Sequence, residues 1–439
     1  MRSGVHRLKW ILVLEALLAG VYVSLTRGLF LIFLVSIGYA VEGISFVVLI
    51  ASLSSLAIAG FLYKHPGFLT HRVKLKLLAF HAFERITWFF MPLVQQSLMI
   101  SFFYSLYMAF SSVLGVFLSF TIYGSLSEKD IRDVTAKRAA AMGISNIAGY
   151  ALGVFLLAFI PYQNKFIAIF SLGSVIGLFS TALIAFLDVS NLESAKFPEK
   201  VEQPEKVFST SFFFVTLLLS GNLFGIVWTP YVMNELKGTD FIAASLSLSG
   251  TLASIVASLV WREKSFKTLR IGLAFNALGP LLAWLVPYPE AHIGISVFTS
   301  FTFTAANFMG TFLFARYNEW FGAVKSSILM VIIGNLAQLV SAPLGLLVGS
   351  NYTLAFPCVF ATKVAATALA VGFIPEVAVV REDVARTYSR IMYRNSLIGY
   401  RIVVEVSRET VLATFRLLAL SMVLAALYLI YRVLWWLIS

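Results

Sequence analysis

Charge is scarce in this chain. Aspartate, glutamate, lysine and arginine make up 12% of its 439 residues, about half the share of an ordinary soluble domain. A water-soluble globule is excluded on that ground. Cysteine is nearly absent: Cys358 stands alone, in an apolar run, so no internal disulfide forms. The chain also lacks the apolar–polar alternation of a transmembrane β-barrel. HExxH, GxSxG and phosphate-binding-loop patterns are missing. His65 and His71 share a loop without cysteine or paired acids, so no metal site follows. The reading is therefore not an enzyme, and it implies no cofactor.

What is abundant is apolar length: 59% of the residues are hydrophobic and 15% are aromatic. Runs of the roughly 20 residues needed to cross a bilayer as a helix recur along the chain. We read twelve spans, over residues 8–35, 44–63, 75–94, 98–123, 136–160, 166–187, 208–232, 241–260, 269–286, 293–314, 324–348 and 354–374. The first run is too long for a cleavable signal peptide and leads directly into further spans. Between the sixth and seventh, "DVSNLESAKFPEKVEQPEK" holds two prolines and eight charges and reads as a solvated connector. A further apolar run at 417–438 predicts a thirteenth helix, with Trp435 and Trp436 as an aromatic belt. Before it, "REDVARTYSRIMYR" sets Arg386, Arg390 and Arg394 on one helical face, the pattern of a helix lying on anionic headgroups.

The formal net charge of +12 does not signal nucleic acid here, because it sits in short loops. Arg2, Arg7 and Lys9 precede the first span. Lys64, Arg72 and Lys74 follow the second, Lys129 and Arg132 the fourth, and Lys196, Lys200 and Lys206 the sixth. Arg262, Lys264 and Lys267 follow the eighth, and Arg316 the tenth. The alternate loops carry Lys165 and Lys237 only. This asymmetry predicts a multi-pass protein of the cell membrane with a cytoplasmic N-terminus.

The division into residues 1–187 (six helices), 188–207 (cytoplasmic linker), 208–377 (six helices), 378–416 (basic interfacial segment) and 417–439 (extra helix) suggests duplication. "GFLYKHPGFL" after the second span and "SLVWREKSFK" after the eighth occupy matching places, as do "NIAGYALG" and "NLAQLVSAPLG" in the fifth and eleventh. The loop after the second span also carries a skeleton, G-x-L-x-D-R-x-G-R-R, in Gly60, Leu62 and Gly67. On these residues the chain resembles the major facilitator superfamily over about residues 8–375. Lys64 stands at the acidic position and His65 at the arginine after it. Phe68 and Leu69 replace the final basic pair. The glycines survive and the charges that latch one gating state in that family do not. Of the antiporter signature in the fifth span, Gly149 and Gly153 are met, with Tyr150 where proline stands, and the family's arginine in the fourth span is missing. The resemblance implies an all-α integral membrane fold of two six-helix pseudo-repeats. It implies that spans 1, 2, 4, 5, 7, 8, 10 and 11 surround a substrate path while 3, 6, 9 and 12 brace it.

Charges well inside spans are Glu15, Arg27, Glu84, Arg85 and Lys363. Each costs at least roughly 2.5–3.5 kcal/mol in lipid, so such residues face protein or water. Glu84 and Arg85 are adjacent and about 100° apart on a helix, which predicts that they point at different neighbours. His81 shares a surface with both, and Glu15 is the expected partner of Arg85. Glu15, His81, Glu84 and Arg85 read either as an ion-pair lattice or as a proton relay, the latter implying a coupling proton or cation. Lys363, on a bracing span, reads as structural. Arg27, on a lining span with no acidic neighbour at helical spacing, reads as a site for a carboxylate or phosphate, against a snorkelling or helix-pairing arginine. The remaining candidates for the substrate cavity, with Arg27 and Glu15, are Tyr104, Tyr107, Asn146, Asn222, Trp228, Asn307, Asn335 and Gln338. Each alone is more often a helix-to-helix hydrogen bond than a ligand contact. The function expected is a permease, a secondary transporter of a small organic solute by alternating access, an anionic one if Arg27 is its site, with membrane lipids as surroundings and no nucleic-acid partner. A lipid flippase or scramblase on the same fold, and a non-transporting scaffold, remain open alternatives.

Overall fold

The computed structural model describes residues 2–126, 128–161, 164–189, 192–193, 207–261, 264–315 and 318–373. The expected basic helix at 381–394 and the thirteenth span at 417–438 lie outside the described residues, as does most of the 188–207 linker. Among the described residues the chain is all helical, without strands. The first span is α1 (Arg2–Leu25) followed by α2 (Phe30–Ser36), and the next are α3 (Val41–Lys64), α4 (Val73–Phe90) and α5 (Ser97–Ser125). Spans five and six are α6 (Glu128–Phe159) and α7 (Lys165–Ile184). The second half runs α8 (Val207–Pro230), α9 (Asp240–Trp261), α10 (Phe266–Asn276) with α11 (Gly279–Leu285), α12 (His292–Ala315), α13 (Asn318–Val348) and α14 (Tyr352–Phe373). Eleven of the resulting spans are long and apolar enough to cross a bilayer by composition. The exception is α4, whose 18 residues include Lys74, Lys76, Glu84 and Arg85.

Two helices extend beyond the apolar runs. The expected fifth span begins at 136 and the eleventh at 324, whereas α6 begins at Glu128 and α13 at Asn318. Hydropathy registers only the lipid-facing length, and a helix continues into water as long as its backbone bonds are made.

Three spans are interrupted. In the first, Thr26 leaves helical geometry (φ −108°, ψ −90°) and Arg27–Leu29 form one tight 3-10 turn before α2 resumes. The Thr26 hydroxyl donates to the Tyr22 carbonyl at 2.7 Å, beside the Thr26 backbone N–H, which donates to the same oxygen at 3.0 Å. In the seventh, Pro230 cannot donate its backbone nitrogen, and α8 passes into a wider π-helical turn at Tyr231–Glu235. The ninth breaks between Asn276 and Gly279.

Within the first half α1 packs against α6 and α7, and α4 against α5 and α7. Within the second, α12 packs on α9 and α10, and α14 on α8, α10 and α11. The halves meet through α3 and α5 against α13, α6 against α9, and α2 against α8. At the end carrying residues 30–48 and 342–359 they are sealed together. Phe30, Val41, Val227, Tyr231 and Phe356 belong there to one buried apolar cluster. Gly345 of α13 lies directly on Ser45 of α3, where any Cβ would clash. Glu42 accepts hydrogen bonds from the Ser350 backbone N–H at 2.8 Å and its hydroxyl at 3.0 Å. Gly349, at φ +54°, makes the turn that brings Ser350 there. Lys165 of α7 pairs with Asp240 of α9 across the same boundary, both largely buried.

Candidate functional site

The break at Thr26 sets Arg27 apart from its neighbours. Ser24, Leu25, Thr26 and Leu29 are fully buried, yet Arg27 is exposed. It is exposed to a cavity of about 290 Å³ between the two halves. Met108, Ser111 and Ser112 of α5, Leu218 and Asn222 of α8, and Val331, Gly334, Asn335 and Gln338 of α13 complete the wall. Tyr104, Tyr107 and Tyr150 are the electrostatic neighbours of the guanidinium. Tyr104 stacks on Phe30 with ring centroids 4.3 Å apart, so α5 is pinned beside the break. Among the described residues no carboxylate comes within ion-pairing distance of Arg27. The cation therefore has five donors at a concave site to which no described residue contributes a carboxylate. Asn335 and Gln338, three residues apart on α13, both line the cavity, and the Asn335 amide reaches the Ser112 hydroxyl at 3.5 Å.

A second cavity of about 420 Å³ lies inside the second half and shares Leu218 and Asn222 with the first. Its walls are Gly221, Phe224, Gly225 and Trp228 of α8, Ser254 of α9, Asn276 of α10, Thr299, Ser300 and Phe303 of α12, and Lys363 of α14. Trp228 is held by His292: the indole N–H donates to His292 Nδ1 at 2.7 Å, and His292 Nε2 donates to the Val286 carbonyl at 2.9 Å. Those two bonds fix the imidazole tautomer. Trp228 and Phe224 stack, with centroids 4.5 Å apart and planes at 17°.

The buried charges of the first half form a separate cluster, away from both cavity walls. Glu15, His81, Glu84 and Arg85 are each at most 3% exposed. Arg138 Nη1 of α6 donates to Glu15 Oε2 at 2.7 Å and to the Leu12 carbonyl at 2.6 Å. His81 Nε2 lies 3.4 Å from Glu15 Oε1 and Nδ1 lies 2.7 Å from the Thr181 hydroxyl. A carboxylate only accepts, so Nε2–H donates to Glu15, while Nδ1 faces the Thr181 hydroxyl. Arg85 donates to Glu84, lies 4.0 Å from Glu15, and stands 4.7 Å over the Tyr22 ring. Two carboxylates and two guanidinium groups thus compensate one another.

These positions correct several sequence-based expectations. Glu84 and Arg85 do not point at different neighbours: their long side chains curl back and pair, because flexible χ angles span the 100° between adjacent Cα–Cβ directions. Arg85 does pair with Glu15, at 4.0 Å, but Arg138 is the closer partner at 2.7 Å. It was missed because it lies at the polar start of its span. Glu15 does not line a substrate cavity, being enclosed by α1, α4 and α6. Asn146 receives the Ser24 hydroxyl at 3.2 Å and serves the packing of α1 on α6. Asn307 lines neither cavity. Lys363 is not peripheral: α14 turns it inward to the second cavity. Of the predicted set, Arg27, Asn222, Trp228, Asn335 and Gln338 line the cavities, with Tyr104 and Tyr107 beside Arg27. Among the described residues no group of three histidine, cysteine or acidic side chains is placed to hold a metal.

Two six-helix halves with a cavity between them, eleven of the spans long and apolar enough to cross a bilayer, give a multi-pass membrane protein with the architecture that the sequence resemblance implies. No protein-family model and no curated protein matches the sequence. The fold has solved counterparts. A bacterial homologue of the iron transporter ferroportin, in an inward-facing state, superposes with a TM-score of 0.62 at 14% identity, over 84% of this chain and 98% of that one. A bacterial metal transporter gives 0.59 at 14% identity, over 84% and 99%. The nucleoside transporter NupG gives 0.58 at 12% identity, over 85% and 98%.

Proposed function

We propose that this protein is a secondary transporter that carries a small organic anion by alternating access, with Arg27 binding the anionic group. Support for transport comes from the fold, whose solved counterparts named above are all transporters, and from a central cavity sealed towards one end by contacts between the halves. Transporters of this architecture rock two halves around a central site, often at interrupted helices. The observation that carries the anionic reading is Arg27, presented by the break in the first span to a cavity without a carboxylate in its wall. A cation facing such a wall repels metal ions, so the cargo of the ferroportin homologue and the metal transporter does not transfer to this chain. A neutral nucleoside lacks the charge that Arg27 would compensate. We further propose, from the lysine and arginine asymmetry, that the N-terminus is cytoplasmic and the membrane is the cell membrane.

The test is uptake of labelled monocarboxylates and organic monophosphates into proteoliposomes, with binding measured on the same preparations. Arginine presents a planar fork to a carboxylate or phosphate and lysine does not. Arg27→Lys is expected to fold normally and lose affinity. A charge-assisted hydrogen bond contributes about 1.5–3 kcal/mol, equivalent to a loss of about ten- to over a hundred-fold. Equal affinities would remove Arg27 from the site, and uptake restricted to neutral or cationic solutes would overturn the anionic reading.

A further inference from the structure

The two halves treat their buried charges differently. In the first half each carboxylate in the cluster has a cation beside it. In the second, Lys363 is 3% exposed, and among the described residues no carboxylate lies within 4.0 Å of it. Its ammonium donates to Asn276 Oδ1 at 2.5 Å and stands 5.5 Å over the Phe224 ring and 5.9 Å over that of Phe303. Asn276 is held for this contact: its Nδ2 donates to the Thr299 carbonyl and the Thr302 hydroxyl, both at 3.1 Å. That leaves only Oδ1 for the lysine. An ammonium has three donors, and among the described residues this one makes one hydrogen bond, on the wall of a cavity of about 420 Å³.

Burying a cation without a counter-ion is costly. A cation kept in a membrane-embedded part is by default a candidate for a functional site. None of the residues lining either cavity is acidic. The two cavities adjoin at Leu218 and Asn222, and each presents one cation: Arg27 in the first, Lys363 in the second. Between them the second cavity offers the flat Phe224–Trp228 stack, steadied by His292.

We propose that Lys363 forms a second anion subsite and that the substrate is an organic dianion. One carboxylate or phosphate group sits at Arg27 and another at Lys363. The apolar or planar middle of the molecule passes Asn222 and lies against Phe224 and Trp228. This inference rests on the anionic reading of Arg27 given above and specifies the class of substrate.

The experiment measures binding to the full-length purified protein by calorimetry. The probes are straight-chain dicarboxylates of increasing length, benzene dicarboxylates, the monocarboxylates of matching size, and phosphorylated carboxylic acids. The wild type is expected to bind a dicarboxylate of fitting length about ten- to a hundred-fold more tightly than its monocarboxylate partner. Lys363→Met and Lys363→Gln are both expected to abolish that preference, lowering dicarboxylate affinity to that of the monocarboxylate of matching size. Both are also expected to raise the melting temperature of the ligand-free protein, since each removes an uncompensated charge. A dianion preference that survives in both variants would overturn the proposal. So would a lowered ligand-free melting temperature in both, which marks a structural lysine. If the wild type binds monocarboxylates through Arg27 without favouring dianions, the second subsite fails and the anionic reading stands. If no member of the series binds, or binding is indifferent to Arg27, both fail together.

Discussion

Arg138 of α6 reaches across to Glu15 of α1 at 2.7 Å, and this contact anchors the buried charge cluster of the first half. Glu15 is enclosed, whereas the Arg138 side chain is 15% exposed. Removing the arginine strands a buried carboxylate, while removing both charges does not. Arg138→Gln is therefore expected to destabilise by about 3 kcal/mol, the lower end for a broken buried pair. Glu15→Gln combined with Arg138→Gln should cost less than the sum of the single changes. Thermal unfolding in detergent measures both, and strict additivity would exclude the pairing.

The Lys165–Asp240 pair is expected to hold one end of the molecule shut. Both side chains are about nine-tenths buried, so screening by salt is weak. Asp240→Asn should shift the population towards a state open at that end. A cysteine at Ser45, fully buried against Gly345, reports the opening when Cys358 is replaced by serine. Its labelling by a polar thiol reagent should rise about tenfold for each ~1.4 kcal/mol of bias. The exchanged pair, Lys165→Asp with Asp240→Lys, should return the rate towards that of the starting protein. Unchanged labelling in Asp240→Asn would show that the apolar contacts alone keep this end closed.

Gly177 of α7 is where the charge cluster meets the helix behind it. A Cβ there would lie 2.5 Å from Arg85 Cγ and 2.9 Å from Tyr22 Cδ2. Tyr22 and Arg85 are both fixed, one by the cation over its ring and the other by Glu84, so neither yields easily. Gly177→Ala should cost about 1–3 kcal/mol, the usual range for overpacking. Thermal unfolding checks the value, and a neutral outcome would mean that α7 can slide away from α4 freely.

Much of the architecture was legible in the sequence because the bilayer imposes a local rule. A helix crosses it wherever about 20 apolar residues follow one another. That rule accounts for eleven of the spans, α4 with its four charges being the exception. It lost only what lies outside hydrocarbon, such as the polar starts of α6 and α13. The interruption of the first span at Thr26 carries no such signal, since neither glycine nor proline stands in "SLTRGLF" before Gly28. There the backbone turns because tertiary contacts hold it turned. Gly28 lies against Tyr150, and Tyr104 stacks on Phe30.

Spacing also identified Arg27, Asn335 and Gln338 as candidates, because a charge or a polar pair on one helical ridge is a property of the helix itself. Which helix faces which is not. Arg138 meets Glu15, 123 residues away, and Lys363 meets Asn276, 87 residues away. The sequence by itself determined that this is an all-helical membrane protein with costly charges in its spans. Only the tertiary structure decided that the charges of the first half neutralise one another while Arg27 and Lys363 face cavities. The reason is physical: the hydrophobic cost of each residue is a local property that accumulates along the chain, whereas compensation of a buried charge depends on which distant side chain the packing brings within a few ångströms.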